Sequence, residues 1–263
     1  MSDSETPGAR TFRVSGESYD RFMGRYSAPL AAAFADVLDI AAGQDVLDVG
    51  CGPGALTAEL VRRLGAEHVT ALDPSESFVE ECRRRHPDVD VRLGRAEKLP
   101  YPDGSFDAAL AQLVLHFVSD PEAAAGETKR VVRSGGLVAA SVWDFTEGMR
   151  MLRVFWDAAR AVQPTAPDEQ RRRFTREGEI ADLFRAAGLA DVTGGALDLG
   201  VRYEDFDDLW APFLTATGPA GAFVASLDDE SRARLREEMR ERLGSPDGSF
   251  TLTARAWYAT GRV

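Results

Sequence analysis

The stretch Val46 to Gly54 reads VLDVGCGPG: an apolar run carrying one carboxylate, Asp48, that breaks into glycines at 50, 52 and 54, with Cys51 and Pro53 between them. Glycines so placed leave backbone N–H groups bare and let a ligand come close to the main chain. A second acid, Asp73, closes the next apolar run, HVTALD, and is followed by Pro74. It lies about 20 residues on, where an acid after a second strand meets a ribose. Gly50, Gly52 and Ala55 also satisfy GxGxxA, so a dinucleotide with its pyrophosphate on the loop is one reading. Charge weighs between the alternatives. Asp48 repels a pyrophosphate and attracts an ammonium. S-adenosylmethionine brings an ammonium, a sulfonium and a ribose, and no phosphate. On that reading Asp48 holds the ammonium directly or through water, Gly50 and Gly52 admit the cofactor, and Asp73 accepts from the ribose hydroxyls.

These residues need elements to hold them. From Asp45 on, short β-rich runs alternate with helical patterns, which predicts a parallel sheet covered by helices on both faces. DVLDVG, HVTALD, VDVRLG, FDAALAQL and GLVAASVW are the five strands. Between them, Leu56, Leu60 and Leu64 mark a helix that Gly65 stops; Asp120 caps another that starts at Pro121 and that Ser134 to Gly136 ends. After Trp143 the alternation ceases. Helical stretches GMRMLRVFWDAARAV and EIADLFRAAG flank a polar linker, and two further strands, VTGGALDLGVRY and SFTLTARAWYATGRV, enclose a helical insertion from about Phe206 to Leu243. We place those two strands as an antiparallel pair at one edge of the sheet. Residues 1–14 read as disordered and 15–263 as one domain, with a cofactor-binding core over 15–145 and helical insertions over 146–190 and 204–248.

The chain has 263 residues, 44% of them hydrophobic, enough for one sizeable core. Its net charge of −12 disfavours phosphate backbones and anionic membrane surfaces, so no nucleic-acid or membrane partner is expected. Two cysteines, a polar N-terminus and the lack of a long apolar run point to the cytoplasm. No clustered Cys/His ligands suggest a metal.

Together, LDVGCGPG, ALDPS, GRAEKLPYPDGSFD and VVRSGGLVAASVW resemble the class I S-adenosylmethionine-dependent methyltransferases, and more narrowly the small-molecule branch that includes the ubiquinone and menaquinone enzymes. The resemblance covers about Ser18 to Trp143. It implies a Rossmann-like, doubly wound seven-stranded α/β sheet, mostly parallel, with an antiparallel last strand. It also implies that the Ala96 backbone and the Glu97 region border the adenine, and the Gln112 backbone the methionine part. Arg95 stands where the family usually has an acid. ESYDRFMGRYS matches the segment that folds over the cofactor: Tyr19 and Tyr26 could wall the pocket and Arg25 could pair with the methionine carboxylate. The alternative is an amphipathic helix that packs Tyr19, Phe22 and Tyr26 on the core.

Methyl transfer from a sulfonium mainly needs alignment and exclusion of water. His116, after the fourth strand, is the candidate general base for an acceptor that starts protonated; otherwise it packs between Leu115 and Phe117 with one nitrogen on backbone. His68 and His86 fall at the opposite edge. Trp143 and Asp144 are candidates for the acceptor wall, and Trp210, Phe213, Leu214, Phe223 and Val224 for the underside of a lid over a hydrophobic small-molecule acceptor. An NAD-dependent oxidoreductase and a non-catalytic cofactor-binding protein are the competing readings. The oligomeric state is not legible.

Overall fold

The computed structural model describes residues 23–263; Tyr19 and the expectations for residues 1–14 and 15–22 lie outside the described residues. The chain runs through α1 (Arg25–Asp36), β1 (Val46–Val49), α2 (Ala55–Leu64), β2 (Val69–Asp73), α3 (Glu76–Arg85), β3 (Asp90–Leu93), β4 (Phe106–Gln112), α4 (Pro121–Val131) and β5 (Val132–Trp143). There follow α5 (Arg150–Val162), α6 (Glu179–Ala186), β6 (Ala190–Tyr203), α7 (Phe206–Trp210), α8 (Gly218–Ser226), α9 (Asp229–Arg242) and β7 (Phe250–Arg262).

The seven strands form one sheet in the order β3-β2-β1-β4-β5-β7-β6. Strands β1 to β5 are parallel, and β7 runs antiparallel to both β5 and β6. This is the Rossmann-like arrangement expected, with the closing antiparallel pair at the edge. All four residues of β1 and all seven of β4 are buried, as near-continuous apolar runs require when helices cover both faces. On one face, Leu30 and Phe34 of α1 share a core with Leu56 and Leu60 of α2, with α3, and with α5 and α7 to α9. On the other, Ala124 and Ala125 of α4 pack with Ile180 and Phe184 of α6. Each fully buried Leu or Phe contributes roughly 1.5–3 kcal/mol, so these two layers hold the sheet.

Chain winding reverses between β1 and β4: the chain leaves β1 toward β2 and β3, then returns to the other side. Open α/β sheets form a crevice at the carboxyl ends of strands at such a point.

Capping follows the sequence at α4, where Asp120 accepts from Ala123 N–H at 2.9 Å and Pro121 opens the helix. At its far end the reading is corrected: α4 stops at Val131, and Ser134 to Gly136 already belong to β5. Gly136 is there for contact with the neighbouring strand, since a Cβ on it would stand 2.6 Å from the Asp107 carbonyl oxygen. Among the described residues, no helix is long and apolar enough to cross a membrane, and no group of three or more His, Cys, Asp or Glu could hold a metal ion.

Candidate functional site

The glycine loop turns off β1 over the end of β2: the N–H groups of Gly50 and Cys51 both donate to the Leu72 carbonyl, at 2.8 and 3.0 Å. Gly50 and Gly52 take positive φ, 74° and 55°, the left-handed region that glycine enters freely. A Cβ on Gly50 would collide with the Val114 side chain at 2.5 Å; one on Gly52 would meet nothing within 4 Å, because that side faces open space.

Two acids converge on this loop. Asp48 is buried and accepts from the Thr57 hydroxyl at 2.7 Å. Burial pushes its carboxyl up to about 7, Thr57 pulls it down, and the nearby Asp73 charge adds to the rise. Asp73 accepts from Gly52 N–H at 2.9 Å and from Ser75 N–H at 2.8 Å. Burial raises it to about 6 against the pull of those two amides. The Cys51 thiol is pushed well above its ordinary value by Cys82 beside it and by burial, so it stays protonated.

A cleft of about 960 Å³, part of it open to solvent, lies here. Asp48, Gly50, Cys51, Gly52, Asp73 and Pro74 all line it. Ala96 and Glu97 line it as well. Glu97 is held below its ordinary value: burial opposes this, but the Ser119 hydroxyl and amide, at 2.7 and 3.0 Å, prevail. Arg95 donates to Ser119 at 3.1 Å and so braces the rim from outside. Gln112 closes the inner end, its Nε2 donating to the Ser27 carbonyl at 3.1 Å.

Other expected residues lie elsewhere. Arg25 does not line the cleft: its guanidinium pairs with both Asp208 oxygens, at 2.7 and 3.0 Å, and lies over the Tyr203 ring. Tyr26 is fully buried, hydroxyl to hydroxyl with Tyr203 and edge-on to Trp143. His116 is half-buried off the cleft, with Nδ1 2.9 Å from the Arg173 carbonyl and the ring 4.7 Å from that of Phe145. Desolvation holds it down to about 4, and its bond to a backbone carbonyl is the one the packed alternative gives it. His68 bonds Asp45 at the far edge as expected, but the His86 ring packs against Gly54. Asp144 accepts from the Thr146 and Glu147 amides rather than facing the cleft. The insertion spends its aromatic groups on α5: Phe213 stacks on Phe155 at 4.5 Å, and Phe223 meets Trp156 at 5.8 Å. No residue of the insertion is among the described residues that line the cleft, and Leu214 is exposed.

Sequence reasoning missed Ser27, Phe78, Leu113, Val114, Phe117 and Val118, which also line the cleft. Phe78 was legible only as part of the α3 apolar stripe; Phe117 and Val118 follow a strand end, the one available signal.

The arrangement is an acidic, apolar-walled cleft with no lysine or arginine among the described lining residues. The Gly52 amide that a pyrophosphate would need is already given to Asp73. The site therefore suits a ligand with a cation and a diol, and disfavours a diphosphate.

The family described as a methyltransferase domain matches residues 47–140. The nocamycin O-methyltransferase of Saccharothrix syringae is 28% identical over 93% of this chain and 97% of its own length. A rice 2-methyl-6-phytyl-1,4-hydroquinone methyltransferase is 32% identical over 56% of this chain and 39% of its own. Apart from the nocamycin relative, these curated relatives are matched over a third to a half of their length, from 33% to 49%. Among solved structures, a methyltransferase from an antibiotic biosynthesis pathway of Anabaena variabilis superposes with a TM-score of 0.63 at 19% identity, covering 89% of this chain and 97% of that one, which shows a shared fold.

Proposed function

We propose, from the premise that this chain belongs to the class I methyltransferases, that it binds S-adenosylmethionine in the cleft and transfers the methyl group to a small-molecule acceptor. The carrying observation is the pair of buried acids at the glycine loop, with the Gly52 amide spent on Asp73 and no lysine or arginine among the described residues of the cleft wall. When bound, the sulfonium supplies an electrophilic methyl group and a neutral thioether leaving group. Asp48 would hold the ammonium, Asp73 has lone pairs left for the ribose hydroxyls, and the bare face of Gly52 leaves room for the sugar. Ala96, Glu97 and Pro74 would border the base; Gln112 and Cys51 would border the methionine end.

The protein's own contribution is alignment and dryness. Holding nucleophile, methyl and sulfur in line is worth on the order of 7–11 kcal/mol without any nucleophilic side chain. Leu113, Val114 and Phe117 supply apolar walls near the strand ends, which favours a partly hydrophobic acceptor. The names of the nocamycin and hydroquinone relatives support the small-molecule class.

Calorimetric titration with S-adenosylhomocysteine and with NADH tests this. We expect saturable, one-to-one binding of the former and none of the latter; NADH binding with S-adenosylhomocysteine inert would return the site to the oxidoreductase reading.

A further inference from the structure

Buried polar atoms without a partner gather at one place beside the cleft. Ser27 Oγ, Gln112 Oε1, Ser141 Oγ and Trp143 Nε1 all lack a hydrogen bond among the described residues, and all four residues are at least nine-tenths buried. They come from three elements. Gln112 of β4 reaches Ser27 of α1, and across the sheet Gln112 pairs in register with Ser141 of β5. Along β5, Leu137, Ala139 and Trp143 belong to the core layer that contains α1, while Val138, Ala140 and Val142 belong to the opposite layer. Strand alternation therefore turns Ser141 toward α1 as well. Trp143 meets the ring of Tyr26, the neighbour of Ser27, edge-on at 6.1 Å.

Orphaned groups at this density are unusual in a folded interior. Their chemistry is specific: the indole N–H only donates, the Gln112 carbonyl only accepts, and the two hydroxyls do either. None carries a charge. The complement is a neutral group that both donates and accepts. We infer that these four residues form the recognition pocket for a neutral hydroxyl on the methyl acceptor, joined to the methyl-donor cleft through Ser27 and Gln112, which line both. A phenol or alcohol fits; an ammonium or phosphate does not. This rests on the methyl-transfer reading.

The test uses the full chain labelled with 15N at its indole nitrogens and saturated with S-adenosylhomocysteine, the Trp143 Nε1–H resonance being assigned by W143F. Phenol, toluene and benzylammonium are titrated in turn. We expect phenol alone to move the Trp143 resonance downfield, and S141A, which leaves the fold and S-adenosylhomocysteine affinity intact, to weaken phenol about fivefold or more. An equal response to toluene or benzylammonium, or a Trp143 N–H that contacts long-lived water and ignores phenol, overturns the pocket. Failure of S-adenosylhomocysteine to bind overturns the methyl-transfer reading and this inference with it, whereas its binding beside a silent Trp143 overturns this inference alone.

Discussion

Asp48 shows how a single residue couples binding to stability. A carboxyl sealed from water and raised to about 7 keeps its proton, at mildly acid pH, in a chain whose unfolded form has already released it. The folded state binds more protons across that window, so native stability falls as pH rises from the ordinary aspartate value toward 7. A bound ammonium favours the ionised form and reverses the penalty. We therefore expect affinity for S-adenosylhomocysteine to weaken as the solution is taken from about pH 7.5 to about pH 6, with Asp73 contributing at the lower end. Asp48→Asn should raise the apo Tm at neutral pH, lower affinity about tenfold or more, and flatten that part of the profile. Thermal unfolding and calorimetry at several pH values check this; a flat wild-type profile removes Asp48 as the ammonium partner.

At the scale of the element, the strand-loop-helix unit from β1 to α2 depends on what its glycines face. Gly50 needs both positive φ and the absence of a Cβ against Val114, so Gly50→Ala should cost about 2 kcal/mol or more in urea denaturation. Gly52→Ala meets no protein atom and should cost less in stability, yet its methyl group enters the cleft and should abolish S-adenosylhomocysteine binding. Equal stability losses from the two would show that the loop is set by backbone strain alone. The five parallel strands and the antiparallel pair were legible because apolar runs and turn residues are local patterns. Ser134 to Gly136 were misread for the converse reason: what Gly136 avoids is the Asp107 carbonyl, on another strand.

Across the whole molecule, α1 is tied to the distant insertion by Arg25 and Asp208, 183 residues apart. Both side chains are about a third exposed, at 31%, so solvent screens the pair. Arg25→Ala should cost about 1 kcal/mol or less and leave S-adenosylhomocysteine affinity unchanged; a large loss of affinity would return Arg25 to the cofactor. By itself the sequence determined the glycine loop, the acids Asp48 and Asp73, and the order of strands and helices, because spacing along a chain and the periods of strand and helix are properties of neighbours. Only the tertiary structure decided which groups meet: Gly52 N–H with Asp73, His116 with a carbonyl from Arg173, Phe213 with Phe155, and four unpartnered polar atoms from three elements. Those outcomes depend on which surfaces lose water together, and desolvation is set by packing across the fold rather than by adjacency in the chain.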